Sequence, residues 1–147
     1  MKLLEEKYAL LNGVEIPKLG LGTWFISDKD VVLAVKEAAK IGYRHIDTAQ
    51  AYRNEQGVGE GLKICGVPRA EMFVTTKLAA EAKSYKKAAI GIDKSLKTLG
   101  LDFIDMMIIH SPQPWMKFRG NDRYFDGNRE AWRALEEAYK AGRLHAI

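Results

Sequence analysis

The strongest constraint on this chain is a unit that repeats. A helix closes, a short apolar strand follows, and the strand ends on an ionisable side chain. Tyr43-Arg44-His45-Ile46 leads out of Gly42 and ends on Asp47. Phe73-Val74-Thr75-Thr76 ends on Lys77, and Met106-Met107-Ile108-Ile109 ends on His110. An acid or a cation at the end of a core strand is unfavourable unless it has a partner or a task. Strands alternating with helices at roughly 30-residue spacing predict βαβ units and a parallel sheet. Three successive strands then deliver an acid, a cation and an imidazole to one end of that sheet.

The other elements fit around this unit. Tyr8 to Leu19 reads as a hairpin, with Asn12-Gly13 between apolar flanks. Leu19-Gly20-Leu21-Gly22-Thr23-Trp24 is the first core strand, and its glycines permit close backbone approach. It is not a dinucleotide fingerprint, because Phe25 stands where the third glycine belongs. Ser27 and Asp30 form a capping box. Val31, Val35, Ala38 and Ala39 follow at helical spacing, and Gly42 stops the helix. Asn54 caps a second helix with Val58, Leu62 and Cys65 inward. Ser84 caps a third, with Ala88, Ala89, Ile92, Leu96 and Leu99 inward and Gly100 as its stop. The fourth strand runs from about Phe103 to His110. Ser111 to Gly127 is a long loop rich in aromatics, of the kind that is usually functional or mobile. Asn128 then caps a fourth helix with Trp132, Leu135 and Tyr139 inward, and Arg143 to Ile147 begin a fifth strand.

Two architectures accommodate this order. A doubly wound sheet places its site where the strand order switches. A TIM barrel places residues from successive strand ends around one mouth. Functional side chains at three consecutive strand ends favour the barrel. A full barrel needs eight units and ~250 residues; the 147 residues here hold four. The expectation is a single domain over residues 1–147, an N-terminal half-barrel with a hairpin at 8–18 and βα units from 19 onward.

Composition narrows the class. A net charge of +4 comes from cations scattered among acids, so no basic stripe points to nucleic acid. One cysteine, Cys65, excludes a disulfide framework and a cysteine metal site. Acids at Glu5 and Glu6 interrupt any signal-peptide core, and no stretch is long and apolar enough to span a membrane. These features fit a reducing, cytoplasmic compartment.

Asp47, Lys77 and His110 all precede βα loops, and Tyr52 lies in the loop after Asp47. A phenol is a poor proton donor at neutral pH, and an ammonium beside it favours the phenolate. Asp47 would hold the Lys77 ammonium in place and His110 would orient an acceptor oxygen. Such a set protonates an oxygen as charge develops on it, as in carbonyl reduction. Each residue also has a plainer reading. Asp47 could cap a helix, Lys77 could extend to solvent, and His110 could be a structural histidine. Their register on three strand ends favours a common task. His45 and Thr75 read as polar residues of the barrel interior, and Asp105 as a tie from strand to helix. Trp24 and Trp115 sit just beyond strand ends, where they could wall an apolar pocket.

These stretches resemble the N-terminal half of an aldo-keto reductase. The matching segments are Leu19 to Trp24, Gly42 to Ala49 with Tyr52, Asn54 and Glu55, Thr75-Thr76-Lys77, and Asp105 to Pro112. The resemblance implies that Tyr52 is the proton donor, that Lys77 and Asp47 tune it, and that His110 orients the carbonyl. It implies that Gly22, Thr23, Trp24 and Asp47 lie near a nicotinamide, and that Trp24 and Trp115 face the substrate. It implies NADPH, or NADH, as cofactor, an aldehyde or ketone as substrate, and no metal. In that family four more βα units supply most cofactor contacts.

Two functions of different classes follow: a carbonyl reductase completed by a further half, or a half-barrel that is not itself an enzyme. The exposed edges and interior of a half-barrel predict self-association or uptake of a complementing C-terminal half.

Overall fold

The computed structural model describes residues 2–147. Four strands form one parallel sheet in sequential order: β3 (Leu21–Gly22), β4 (His45–Asp47), β5 (Phe73–Leu78) and β6 (Met106–Ile109). The register places Gly22 beside Asp47, Asp47 beside Thr75, and Lys77 beside Ile108. A separate antiparallel pair, β1 (Lys7–Ala9) and β2 (Glu15–Pro17), precedes them. Four helices follow the strands of the sheet: α1 (Asp28–Lys40), α2 (Glu55–Ile64), α3 (Tyr85–Leu99) and α4 (Phe125–Lys140). Sequential parallel strands with a crossover helix after each are the barrel pattern.

The core lies between the outer face of the sheet and the helices. Ile46, Val74, Leu78 and Met107 pack there against Val31, Val35, Val58, Ile92, Leu99 and Leu135. Helix α2 approaches its neighbours through glycine. A Cβ on Gly57 would stand 1.9 Å from the Asp28 carbonyl oxygen of α1, and one on Gly59 would stand 2.1 Å from the Leu99 carbonyl oxygen of α3. No other residue type permits backbones that close.

The ends of the elements follow the sequence in most places. Ser27 Oγ accepts from the Asp30 amide at 3.1 Å and donates to the Asp30 carboxylate at 2.6 Å. Ser84 caps α3, and Gly100 ends it in the left-handed region at φ 66°. The hairpin turns over Leu10 to Val14, with Gly13 at φ 83°. It lies at the end of the sheet opposite Asp47 and Lys77, where Lys7, Glu15 and Pro17 share a cleft with Arg44, Phe73 and Asp105. Residues after α4 run parallel to β6, with Ile104 bridged to Leu144 and the Met107 amide donating to Ala146 O at 3.1 Å.

Two local expectations need correction. Asn128 is inside α4, which begins at Phe125 after Tyr124 takes a left-handed conformation. The Asn128 side chain accepts from Lys83 Nζ at 2.7 Å and donates to Pro112 O at 2.8 Å. The buried stripe of α4 is Ala131, Ala134, Leu135 and Ala138, while Trp132 and Tyr139 are exposed at its margins. Small residues let α4 lie close to α3, and the amphipathic rings go to the rim. Asp105 does tie its strand to a helix, the single 3-10 turn Arg69–Glu71, and it also reaches the preceding strand β5. It accepts from Arg69 at 2.5 Å and from the Val74 amide at 2.9 Å.

Candidate active site

The site is built on the C-terminal ends of β4, β5 and β6. Asp47 is the last residue of β4. Lys77 is on β5, and its strand alternation turns it to the same face. His110 directly follows β6. Tyr52 closes a single 3-10 turn, Gln50–Tyr52, which Arg53 ends in the left-handed region at φ 59°. That turn is held from below. Gln50 Nε2 donates to Gly91 O and Ser95 Oγ, both at 2.8 Å, and Gln50 Oε1 accepts from the Ala79 amide at 2.8 Å.

Lys77 stands between Asp47 and Tyr52. Its Nζ lies 2.7 Å from both Asp47 carboxylate oxygens, 3.0 Å from Thr48 O and 3.3 Å from Tyr52 Oη. Its side chain is 13% exposed, so solvent screens these contacts weakly. The ammonium has three protons, and every one has an acceptor. The geometry therefore excludes the reading in which Lys77 extends to solvent, and that in which Asp47 caps a helix.

His110 stands edge-on to Tyr52, with ring centroids 5.6 Å apart. Burial pushes its imidazole below the usual histidine range; the Lys77 ammonium pushes the same way and Asp47 opposes them. His110 Nδ1 is buried and has no hydrogen-bond partner among the described residues. A buried N–H without an acceptor is more costly than an unused lone pair. The neutral ring therefore carries its proton on Nε2.

These side chains open on a cavity of about 420 Å³ lined by Trp24, Ala51, Tyr52, His110 and Trp115. The Trp115 ring meets His110 edge-on at 5.3 Å, and the Trp24 ring lies 6.4 Å from Tyr52. A larger concavity, of about 620 Å³, is bounded by Lys83, Lys87, Lys117 and Arg123 with Glu81, Asp122 and Asp126. Its charges largely compensate one another, and none of the converging strand-end groups lines it.

Of the other sequence candidates, Gly22 is exposed at the mouth and has open space where a Cβ would stand. Thr23 is fully buried, and its hydroxyl donates to Asp47 O at 3.1 Å. His45 and Thr75 pair on the inner face, Nε2 to Oγ1 at 2.9 Å. Sequence reasoning missed Thr48, whose carbonyl takes one Lys77 proton. It also misassigned the Asn54 side chain, which makes no capping bond to α2. Asn54 instead joins the loops after β3 and β4, donating to Thr23 O at 2.8 Å and accepting from Thr48 Oγ1 at 2.8 Å. A buried polar residue at a helix start was the available signal, but its partners are not readable from spacing.

A model of the aldo/keto reductase family matches residues 18–147. The chain belongs to the aldo/keto reductase family. It is 42% identical over 145 residues to the glyoxal reductase of Bacillus subtilis, covering 98% of this chain and 49% of that protein. It is 41% identical over 138 residues to the methylglyoxal reductase DkgA of Escherichia coli, covering 94% and 46%. Among solved structures, an aldo/keto reductase from Brucella melitensis superposes with a TM-score of 0.85 at 42% identity, covering 95% of this chain and 50% of that one. The aldo-keto reductase of Bombyx mori in complex with NADP gives a TM-score of 0.82 at 35% identity, covering 95% and 48%. The chain spans about half the length of the relatives it matches, and its fold is half of their barrel.

Proposed function

We propose that this chain carries the proton-donating side of an NAD(P)H-dependent carbonyl reductase, with Tyr52 as the acid. The observation that carries the proposal is the single ammonium, Lys77 Nζ, shared between the Asp47 carboxylate and the Tyr52 hydroxyl. When a carbonyl oxygen gains electrons, Tyr52 Oη gives it a proton. The phenolate left behind lies against the Lys77 ammonium, which stabilises it. Asp47 and Thr48 O fix that ammonium so that no reorganisation is needed when charge appears. His110, neutral and protonated on Nε2, donates to the carbonyl oxygen and aims it at Tyr52.

The residues at the mouth fit a nicotinamide cofactor. Gly22 leaves open space beside the sheet edge, and Trp24 offers an exposed aromatic face. Gly22, Thr23, Trp24 and Asp47 would border the cofactor, which supplies hydride. Thr23 would border the cofactor by contact alone, since its hydroxyl and amide both donate to Asp47 O and its carbonyl accepts from Asn54 and the Ile26 amide. Trp24 and Trp115 would flank the substrate. The relatives' names make glyoxal and methylglyoxal the first substrates to test, with NADPH ahead of NADH because of the NADP-bound neighbour. The decisive experiment is Tyr52→Phe in a complete barrel carrying this chain. Carbonyl reduction should disappear while NADPH binding, read by its fluorescence, stays nearly intact. Substantial turnover by Tyr52→Phe would place the proton donor elsewhere.

A further inference from the structure

The proton transfer does not use Asn54, yet Asn54 is fully buried and its amide is fully engaged. Nδ2 donates to Thr23 O at 2.8 Å and to Ile26 O at 2.9 Å. Oδ1 accepts from Thr48 Oγ1 at 2.8 Å, with Thr23 Oγ1 at 3.5 Å. Thr23 and Ile26 are the two ends of a turn closed by the Ile26 amide on Thr23 O at 3.1 Å. Phe25 is the third residue of that turn, at φ 62°. Turns of this kind ordinarily take glycine there, and a bulky side chain holds the conformation only when its surroundings enforce it. One amide grips both ends.

Trp24 is the second residue of the same turn. Its side chain is largely exposed and stacks on Phe25 at 4.4 Å, itself 86% exposed. Neither ring is anchored in the core, so the backbone of the turn sets where Trp24 stands. We propose that Asn54 is a positioning residue that clamps the Thr23–Ile26 turn. It holds Trp24 as the cavity wall beside Tyr52 and so sets the affinity for the flank of the carbonyl substrate, not the proton transfer. The inference rests on the reductase reading for its kinetic consequence. Lys77 is held mainly by both Asp47 carboxylate oxygens, and Asn54 touches the Thr48 hydroxyl but not the Thr48 carbonyl that Lys77 uses.

The test labels a complete barrel carrying this chain with fluorotryptophan, assigns the Trp24 resonance with Trp24→Phe, and measures methylglyoxal kinetics alongside. Asn54→Asp keeps the shape but turns an oxygen toward two carbonyls. It should shift or broaden the Trp24 signal and leave Trp132 unmoved. KM should rise about tenfold with kcat within about threefold, the scale of one or two lost hydrogen bonds. Glycine at position 25 adopts the left-handed conformation freely. Adding Phe25→Gly should therefore sharpen the Trp24 signal again and return KM to that of Phe25→Gly alone. Asn54→Ser, which cannot reach both carbonyls, serves if Asn54→Asp does not fold. An unmoved Trp24 signal, a fall in kcat at constant KM, or no recovery with Phe25→Gly would each overturn the clamp. If no protein in the set reduces a carbonyl, the reductase reading fails, and the Trp24 resonance still decides the role of Asn54.

Discussion

Replacing Lys77 with methionine tests the site most sharply, because the apolar chain keeps the volume and removes only the charge. The ammonium lies 3.3 Å from Tyr52 Oη. At an effective dielectric of ~20, that distance gives about 5 kcal/mol of attraction for a phenolate. Asp47, bound to the same ammonium, repels the phenolate from farther away and offsets part of this. A net loss of about 3 kcal/mol means a rate lower by about two orders of magnitude. The fold should suffer less: the Asp47 side chain is 33% exposed and can rehydrate, so ~1–3 kcal/mol of stability is expected to go. The assay is single-turnover reduction of methylglyoxal at saturating NADPH, with urea unfolding as the control. Tyr52→Phe removes the group on which Lys77 acts, so the double variant should be no slower than Tyr52→Phe alone. A loss below tenfold, or losses that multiply in the double variant, would refute the proposed coupling.

Other expectations follow from packing and charge. Gly57→Ala should destabilise by about 3 kcal/mol or more, because its Cβ would meet the Asp28 carbonyl at 1.9 Å; Gly22→Ala, with open space there, should leave unfolding within about 0.5 kcal/mol and weaken dinucleotide binding. Burial raises the Glu55 carboxyl above its ordinary value of 4.5, opposed by the Thr76 hydroxyl. Its contribution to stability is therefore present below that value and lost as pH rises through the raised one, so Glu55→Gln should stabilise the fold at neutral pH by about 1 kcal/mol, and equal urea midpoints would count against it. Burial lowers His45 and His110 below 6.5. Their contribution is complete above that pH and lost as pH falls through the lowered values, and His45→Gln should flatten the fall of the urea midpoint on acidification. A polypeptide of residues 1–147 alone should associate, because Ile108 is 37% exposed and β3 is an edge; light scattering that finds a stable monomer with full reductase turnover would overturn this.

The sheet, its order and the strand-end groups were legible because each rests on local rules. A strand alternates its faces, so Lys77 turns with Thr75 and Phe73, and three successive strand ends share a rim. The phase of α4 was not legible. Trp132 and Tyr139 are large and apolar enough to suggest an inner face, yet the gap between α3 and α4 admits alanine. The glycines of α2 were passed over for a related reason. Gly57 and Gly59 carry no hydrophobic signal, and their role exists only when two other helices are in place. Asn54 shows the same limit for polar groups. Its position at a helix start suggested a cap, but its four hydrogen-bonding valences are met by residues 6 to 31 positions away.

What remains is why one ammonium should serve both a carboxylate and a phenol. A lysine alone beside Tyr52 would be free to swing to water, since its other acceptors would be neutral before the reaction. Asp47 prevents this by supplying a fixed counter-charge at 2.7 Å. Thr48 O takes a further proton at 3.0 Å, leaving the remaining direction for Tyr52. In the proposed reaction the carboxylate thus holds the cation in place before any substrate arrives, and the cation would meet a charge on Tyr52 only after the proton has left. Because stabilisation of the phenolate would appear only then, the arrangement would favour the transition state over the ground state. That asymmetry depends on the spacing of two strand ends and one turn, all within residues 47–77.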